Sequence, residues 1–178
     1  EFYVNSEYDH ECARALYQHS LVLKRKGQNY LAEAMLALIE AKKRLEHVDD
    51  LRLKALVLRT EGDIYGAGCL FANALESYAA AKECFDQLGM EYHSASVLYD
   101  MGATYIQLRE HWQAKRALDQ ALSYGVRVDN KRFMCAVLHE LLDLTIYLND
   151  YDMCREYVAR FAEHDCLLFG QAHMSAMQ

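Results

Sequence analysis

The chain has 178 residues, of which 53% are hydrophobic and 25% charged, and its 19 basic and 26 acidic side chains give a formal net charge of −7. This composition excludes intrinsic disorder and a fibrous chain, and the length supports a single core that needs no disulfide or metal. The acidic balance argues against nucleic acid as a partner, because binding to phosphates needs a basic surface. No apolar run approaches the roughly 18–20 residues of a membrane-spanning helix, so we expect no direct membrane insertion.

Helix is the backbone state that the sequence favours throughout. Proline is absent and glycine occurs only 8 times, so the usual markers of β-turns are scarce. Apolar residues recur at spacings of three and four through eight segments, which predicts eight helices and no strand. In chain order, the predicted helices cover residues 13–24, 31–48, 53–65, 71–88, 94–108, 112–126, 133–148 and 151–161.

The sequence repeats with a period of 40 residues. The registers that carry this period are Ala34, Ala74 and Ala114; Ala41, Ala81 and Ala121; Gly62 and Gly102; Tyr65 and Tyr105; and Leu58 and Leu98. Each unit is therefore expected to be a pair of helices, in which Gly62 faces Ala74 and Gly102 faces Ala114 so that the two axes approach closely.

The outer units are expected to depart from this pattern. In the first unit we expect an offset of two residues, absorbed by a longer turn around residues 27–29. In the fourth unit Leu142, Cys154 and Phe161 replace glycine, alanine and alanine. We therefore expect the helices of that unit to pack further apart or to tilt.

These residues resemble the signature of the tetratricopeptide repeat, W-x2-L-G-x2-Y followed by A-x3-F and alanine. The second unit has Leu58-x2-Glu61-Gly62-x2-Tyr65, then Ala74-x3-Tyr78 and Ala81. The third unit has Leu98-x2-Met101-Gly102-x2-Tyr105, then Ala114-x3-Leu118 and Ala121. In the fourth unit, Tyr151-Asp152 looks like the turn between its two helices. The resemblance covers about residues 10–164. The longer period and the missing proline are similar to repeats of bacterial multi-repeat regulatory or lipoprotein-anchored proteins and of some eukaryotic adaptors.

The resemblance implies an all-α fold, an α-α superhelix (TPR-like solenoid) of about four helix-turn-helix repeats. The repeats would be 10–48, 53–88, 94–127 and 133–164 of one domain spanning 1–178, with 165–178 as a tail or the start of a further helix. It also implies a concave groove, lined by the first helix of each repeat, that binds a peptide or protein segment. The groove candidates are Tyr17, Leu21, Arg59, Asp63, Tyr99, Ala103, Gln107, His139 and Asp143.

Each groove candidate also has a simpler explanation. Arg59 and Asp63 have the i, i+4 spacing of an ordinary ion pair on a solvated helix face. His139 and Asp143 have the same spacing and form either a pH-sensitive pair or a merely solvated one. Tyr17 and Tyr99 favour binding, because tyrosines at these positions are expected to be exposed to the groove.

Catalytic, metal and cofactor motifs are missing from the sequence. It contains no H-E-x-x-H, G-x-S-x-G, P-loop or G-x-G-x-x-G pattern, so we expect neither an enzyme nor a cofactor. The six cysteines form no C-x-x-C pair. The close spacings His10-x-Cys12 and His164-x-Cys166 lie at opposite ends of a solenoid, so we expect no metal site.

Cys69, Cys84 and Cys154 fall near positions where a small apolar residue is wanted, and we expect them to be buried free thiols. Free thiols favour a reducing compartment such as the cytoplasm. The resemblance to anchored bacterial proteins implies an exported or periplasmic location instead, and the sequence leaves both open.

Two basic runs, at 24–26 and 42–44, fall at the ends of the first unit's helices, where cations complement the helix dipole. An anionic partner peptide near this unit is the alternative interpretation. The sequence begins at Glu1 rather than at methionine, which suggests a piece of a longer protein.

Two functions are therefore open. The first is an interaction module, the repeat part of a longer regulatory or scaffolding protein. The second is a structural element that forms a homo-oligomer through its solenoid ends, for which the apolar residues Phe161, Leu167, Leu168 and Phe169 are candidates.

Overall fold

The computed structural model describes residues 6–163, which contain eight α-helices and no strand. The helices are α1 (Ser6–Lys26), α2 (Leu31–Leu45), α3 (Leu51–Ala67), α4 (Phe71–Gln87), α5 (Glu91–Gln107), α6 (His111–Arg127), α7 (Lys131–Leu148) and α8 (Tyr151–Glu163). A 3₁₀ turn, Gln28–Tyr30, connects α1 to α2. The expected all-α class and the eight helices are confirmed for this part of the chain.

The chain divides into two compact units, unit 1 (Glu1–Val97) and unit 2 (Leu98–Gln178), and the boundary falls within α5. In unit 1, α1 packs against α2, and α3 packs against both α2 and α4. In unit 2, α7 packs against both α6 and α8. Consecutive helices therefore form the pairs of a helical repeat.

The period of 40 residues holds through all of these helices. Helices α2, α4, α6 and α8 begin at Leu31, Phe71, His111 and Tyr151, and α3, α5 and α7 begin at Leu51, Glu91 and Lys131. The residues buried in the first helix of each pair keep the same spacing: Tyr17, Val57, Val97 and Val137. The expected two-residue offset in the first unit is wrong. Helix α2 begins 40 residues before α4, so the turn between α1 and α2 adds no residue to the period.

Residues in the left-handed conformation end five of the helices without proline. Cys69, Arg109 and Asn149 have φ of 59°, 60° and 56° after the first helix of their pairs, and Gly89 and Asp129 have φ of 64° and 50° after the second. The next N–H bonds back to a carbonyl five residues earlier, as in a Schellman cap, which satisfies the free end of the helix. The expectation that Cys69 is buried is wrong, since this turn position exposes it.

Glycine permits close packing within each of the two central pairs, although its neighbour is not the one expected. A Cβ on Gly62 would lie 2.5 Å from Cε1 of Tyr78, and a Cβ on Gly102 would lie 2.6 Å from Cγ of Leu118. The expected partners Ala74 and Ala114 are buried one turn earlier. Each glycine therefore makes room for the large side chain of the second helix.

The last pair packs differently, in keeping with the substitution of glycine by Leu142. Leu38, Tyr78 and Leu118 are at most 5% exposed, whereas Val158, 40 residues after Leu118, is 52% exposed. Leu142, in place of the glycine, occupies the space into which the side chain at position 158 would otherwise pack. The second helix of the pair instead buries Tyr157, which is 3% exposed.

Candidate functional site

In unit 1, the exposed ends of the first helices are bridged by polar side chains. Nζ of Lys24 on α1 lies 2.5 Å from Oδ2 of Asp63 on α3. The hydroxyl of Tyr78 donates to the other oxygen of Asp63 at 2.9 Å. Both Lys24 and Asp63 are somewhat more than a quarter exposed, so the bridge lies at the surface.

A second bridge in unit 1 joins α3 to the beginning of α5. The guanidinium of Arg59 donates to Oγ of Ser96 at 2.8 Å. Burial lowers the pKa of nearby His93, and the positive charges of Arg59 and Arg52 lower it further. The imidazole of His93 also lies 5.0 Å from the ring of Phe85, so neutral histidine, arginine and serine share this surface.

In unit 2, the corresponding bridge joins α5 to α7. The hydroxyl of Tyr99 donates to Oε1 of Glu140 at 3.2 Å. Burial, together with the negative charge of Glu140, raises the pKa of Tyr99 to about 12. Tyr99 is half-buried and its ring lies 6.5 Å from that of Phe133. A phenol in this setting is a neutral donor at physiological pH.

The nine predicted groove residues differ in exposure. Leu21, Arg59, Asp63, Tyr99 and Ala103 are half-buried, and Gln107, His139 and Asp143 are exposed. His139 and Asp143 do form a pair, with Nδ1 and Oδ2 3.5 Å apart, but both side chains are more than 60% exposed. Such an exposed pair contributes little to stability.

The expectation that Tyr17 is exposed is wrong. This side chain is 9% exposed, and burial raises its pKa. The assumed offset of two residues caused the error, because the period of 40 without an offset aligns Tyr17 with buried Val57 rather than with Arg59. The residue of α1 that does align with Arg59 and Tyr99 is His19, which is exposed.

Sequence reasoning also missed the partners in the bridges. Lys24, Ser96 and Glu140 lie 39, 37 and 41 residues from their partners, close to one period. The pair of His10 with Asp50, at 2.8 Å, has a separation of 40. A search for complementary polar side chains about one period apart would have identified these bridges.

Three of the six cations in the basic runs are ion-pair partners. Lys24 binds Asp63, Nζ of Lys42 lies 2.9 Å from Oε1 of Glu61, and Arg44 lies 2.8 Å from Asp9. Glu61 is 6% exposed and also accepts from Ser77. Since these cations are paired with acidic groups of other helices, they do not form a free anion-binding surface.

Residues 6–163 offer no cluster of metal ligands. This range contains no group of three histidine, cysteine or acidic residues placed to hold a metal ion. Its five cysteines are not joined in disulfides; Cys84 is buried as expected, and Cys154 is only half-buried. Cys166 lies outside the described residues.

Two hollows lie on unit 2, and both are open to solvent. The smaller, about 270 Å³, lies along α6 beside Trp112, and the larger, about 610 Å³, lies between α6 and α8 around Tyr157. The charged side chains of the larger hollow are paired with one another: Lys115 with Asp119 at 2.5 Å and Arg160 with Glu156 at 2.7 Å. Neither hollow presents an unpaired acid and base side by side.

In the part of the chain that the structure describes, no helix has the length and apolar character needed to cross a membrane.

Comparison with known proteins shows the fold alone. No protein-family model matches the sequence, and no curated protein matches it. The chain is similar to the crystal structure of BtubC (BKLC) from P. vanneervenii, with a TM-score of 0.70 and 19% sequence identity over 87% of this chain and 68% of that chain. At this identity the likeness supports the all-helical repeat architecture and carries no information about function.

Proposed function

We propose that the chain is a protein–protein interaction module of the tetratricopeptide-repeat type, which binds a peptide or protein segment on the face formed by its first helices. It would be the repeat part of a longer regulatory or scaffolding protein. The observation that carries the proposal is the set of bridges between successive first helices. These are Lys24 with Asp63 and Arg59 with Ser96 in unit 1, and Tyr99 with Glu140 in unit 2.

The bridges support binding because they hold donors and acceptors in fixed positions at a surface. Arg59 and Tyr99 are half-buried, so their aliphatic and aromatic parts are packed and little conformational freedom remains to be lost on binding. Arginine and tyrosine are also the residue types that most often carry binding energy in protein interfaces. The exposed side chains Gln107, His139 and Asp143 would extend the same face in unit 2.

A random peptide library displayed on phage, selected against the immobilised chain, tests this proposal. We expect a peptide motif to be enriched, and we expect Arg59→Ala to weaken binding of the selected peptide at least about tenfold. Ser96→Ala is the matched variant, because it removes the hydrogen bond of Arg59 and leaves the guanidinium in place. Lys43→Ala is the control on the exposed surface of α2.

The proposal predicts that the Lys43→Ala control binds as the wild type does. For a selected peptide that binds unit 2, the equivalent variants are Tyr99→Phe and His139→Ala. Failure to enrich any motif, or enriched peptides whose affinity is unchanged by the substitutions in both units, would contradict the proposal.

A structural element that self-associates through its first and last helices is the second candidate. Val22 on α1 and Val158 on α8 are each 52% exposed, which favours contacts at these helices. Leu167, Leu168 and Phe169 lie outside the described residues, as does the side chain of Phe161. If the chain self-associates through these helices, sedimentation should show that Val22→Lys and Val158→Lys both reduce the associated fraction.

A further inference from the structure

An apolar surface of unit 2 lies outside the core. It lies at the turn between α5 and α6 and at the turn between α7 and α8. Its members are large apolar side chains that are between 37% and 76% exposed: Leu108, Trp112, Ile146, Tyr147, Leu148 and Tyr151. We call these six residues the turn patch.

A contact between rings makes the two turns neighbours. The imidazole of His111, the first residue of α6, lies 5.0 Å from the ring of Tyr147 near the end of α7. Trp112 follows His111 directly, and Ile146 and Leu148 flank Tyr147. The six exposed side chains therefore belong to two neighbouring turns.

The exposed area of this cluster is large for a monomer. Taking roughly 150–250 Å² for a large side chain, the stated exposures leave about 600 Å² accessible to water. That is at the upper limit of the largest patch on a typical monomer, about 300–600 Å². A stable dimer of standard size buries about 800 Å² on each partner, of which these six side chains would supply most.

We propose that the turn patch is the interface of a symmetric homodimer, in which the patch of one copy packs against the same patch of a second copy. In a two-fold contact, a surface must be complementary to itself. The turns also carry both signs of charge, with Arg109 and Glu110 in one and Asp150 in the other. A surface that carries both signs of charge is electrostatically compatible with a second copy of itself.

The single tryptophan of the chain makes the proposal directly testable, since Trp112 belongs to the patch and is 76% exposed. Sedimentation equilibrium of the full chain measures its mass, and tryptophan fluorescence over the same concentrations measures the exposure of Trp112. We expect a dimer mass at high concentration, and a blue shift with reduced acrylamide quenching as the dimer forms.

Two matched substitutions locate the interface. Ile146→Lys places a like charge in the patch of both copies, and we expect it to raise the dissociation constant at least about tenfold. Ile39→Lys is the control, because Ile39 is also a helical isoleucine, is 53% exposed and lies on α2 in unit 1. It should leave the dimer intact. Circular dichroism of both variants verifies that they fold.

Three results would overturn the proposal. The first is a monomer mass with unchanged Trp112 emission up to about 0.5 mM. The second is a dimer that Ile146→Lys leaves intact, which would place the interface elsewhere. The third is a dimer that Ile39→Lys disrupts as strongly as Ile146→Lys does.

Discussion

Adding a single methyl group at Gly62 tests how closely α3 and α4 approach. A Cβ at this position would lie 2.5 Å from Cε1 and 2.6 Å from Cδ1 of Tyr78. Tyr78 is 5% exposed and its hydroxyl donates to Asp63, so the ring cannot move aside without losing packing and that hydrogen bond. Gly62→Ala therefore forces the helices apart.

The size of the effect follows from two opposing terms. Alanine in place of glycine stabilises a helix interior by about 1 kcal/mol, whereas overpacking a core costs about 1–3 kcal/mol. With the ring of Tyr78 held in place, overpacking outweighs the helical preference, and we expect Gly62→Ala to lower the free energy of unfolding by up to about 2 kcal/mol. Gly66, one turn further along α3, is the matched control, because the nearest atom to its added Cβ would be the Tyr78 oxygen at 4.0 Å. Gly66→Ala should raise the free energy of unfolding by about 0.5–1 kcal/mol.

Urea denaturation followed by far-ultraviolet circular dichroism measures both variants against the wild type. Equal stabilities for Gly62→Ala and Gly66→Ala would refute the argument, since both changes add one methyl group to α3 and only the one at residue 62 meets the ring of Tyr78. Adding Tyr78→Leu to Gly62→Ala provides a further check. The smaller side chain should reduce the cost of the added methyl group, so the two substitutions should be less destabilising together than their separate effects imply.

Three further predictions concern charge and backbone. Burial and neighbouring arginines lower the pKa of His93. The contribution of His93 to stability is therefore complete above the unfolded pKa of about 6.5 and decreases as the pH falls towards the folded pKa. In urea titrations between about pH 7.5 and pH 5, His93→Phe should flatten this dependence. Lys42→Met leaves buried Glu61 without its cationic partner and should lower the free energy of unfolding by about 1–3 kcal/mol. In a double-mutant cycle, Glu61→Gln should restore part of this loss. A loss near zero would show that solvent replaces Lys42. Arg109→Gly removes a side chain from a residue with φ of 60° and should raise the free energy of unfolding by about 0.5–1 kcal/mol, and a lower melting temperature would contradict that expectation.

The sequence predicted the fold more completely than the surface. Periodic alanines such as Ala34 and Ala74 are fully buried, and periodicity of this kind identified the helices and the 40-residue unit. The exchange of glycine for Leu142 indicated a change in the last pair, and Val158 is exposed there at the register where Leu118 is buried. These features depend on volume and spacing, which local sequence carries directly.

The candidate site was less predictable, because its contacts join residues about one period apart. Arg59 and Asp63 looked like partners on one helix, whereas Arg59 donates to Ser96 and Asp63 pairs with Lys24. Tyr17 was misplaced because the assumed offset of two residues aligned it with Arg59, whereas the 40-residue period aligns it with buried Val57. Side-chain pairing of this kind depends on the tertiary structure.

Mapping the amide chemical shifts of the chain on addition of a phage-selected peptide tests the central claim most directly, because it locates the bound peptide without assuming where it lies. The account predicts that the changes concentrate on the exposed positions of the first helices, around Arg59 and Ser96 in unit 1 or around Tyr99 and Glu140 in unit 2. Changes concentrated instead on the outer surfaces of α2, α4, α6 and α8 would contradict it.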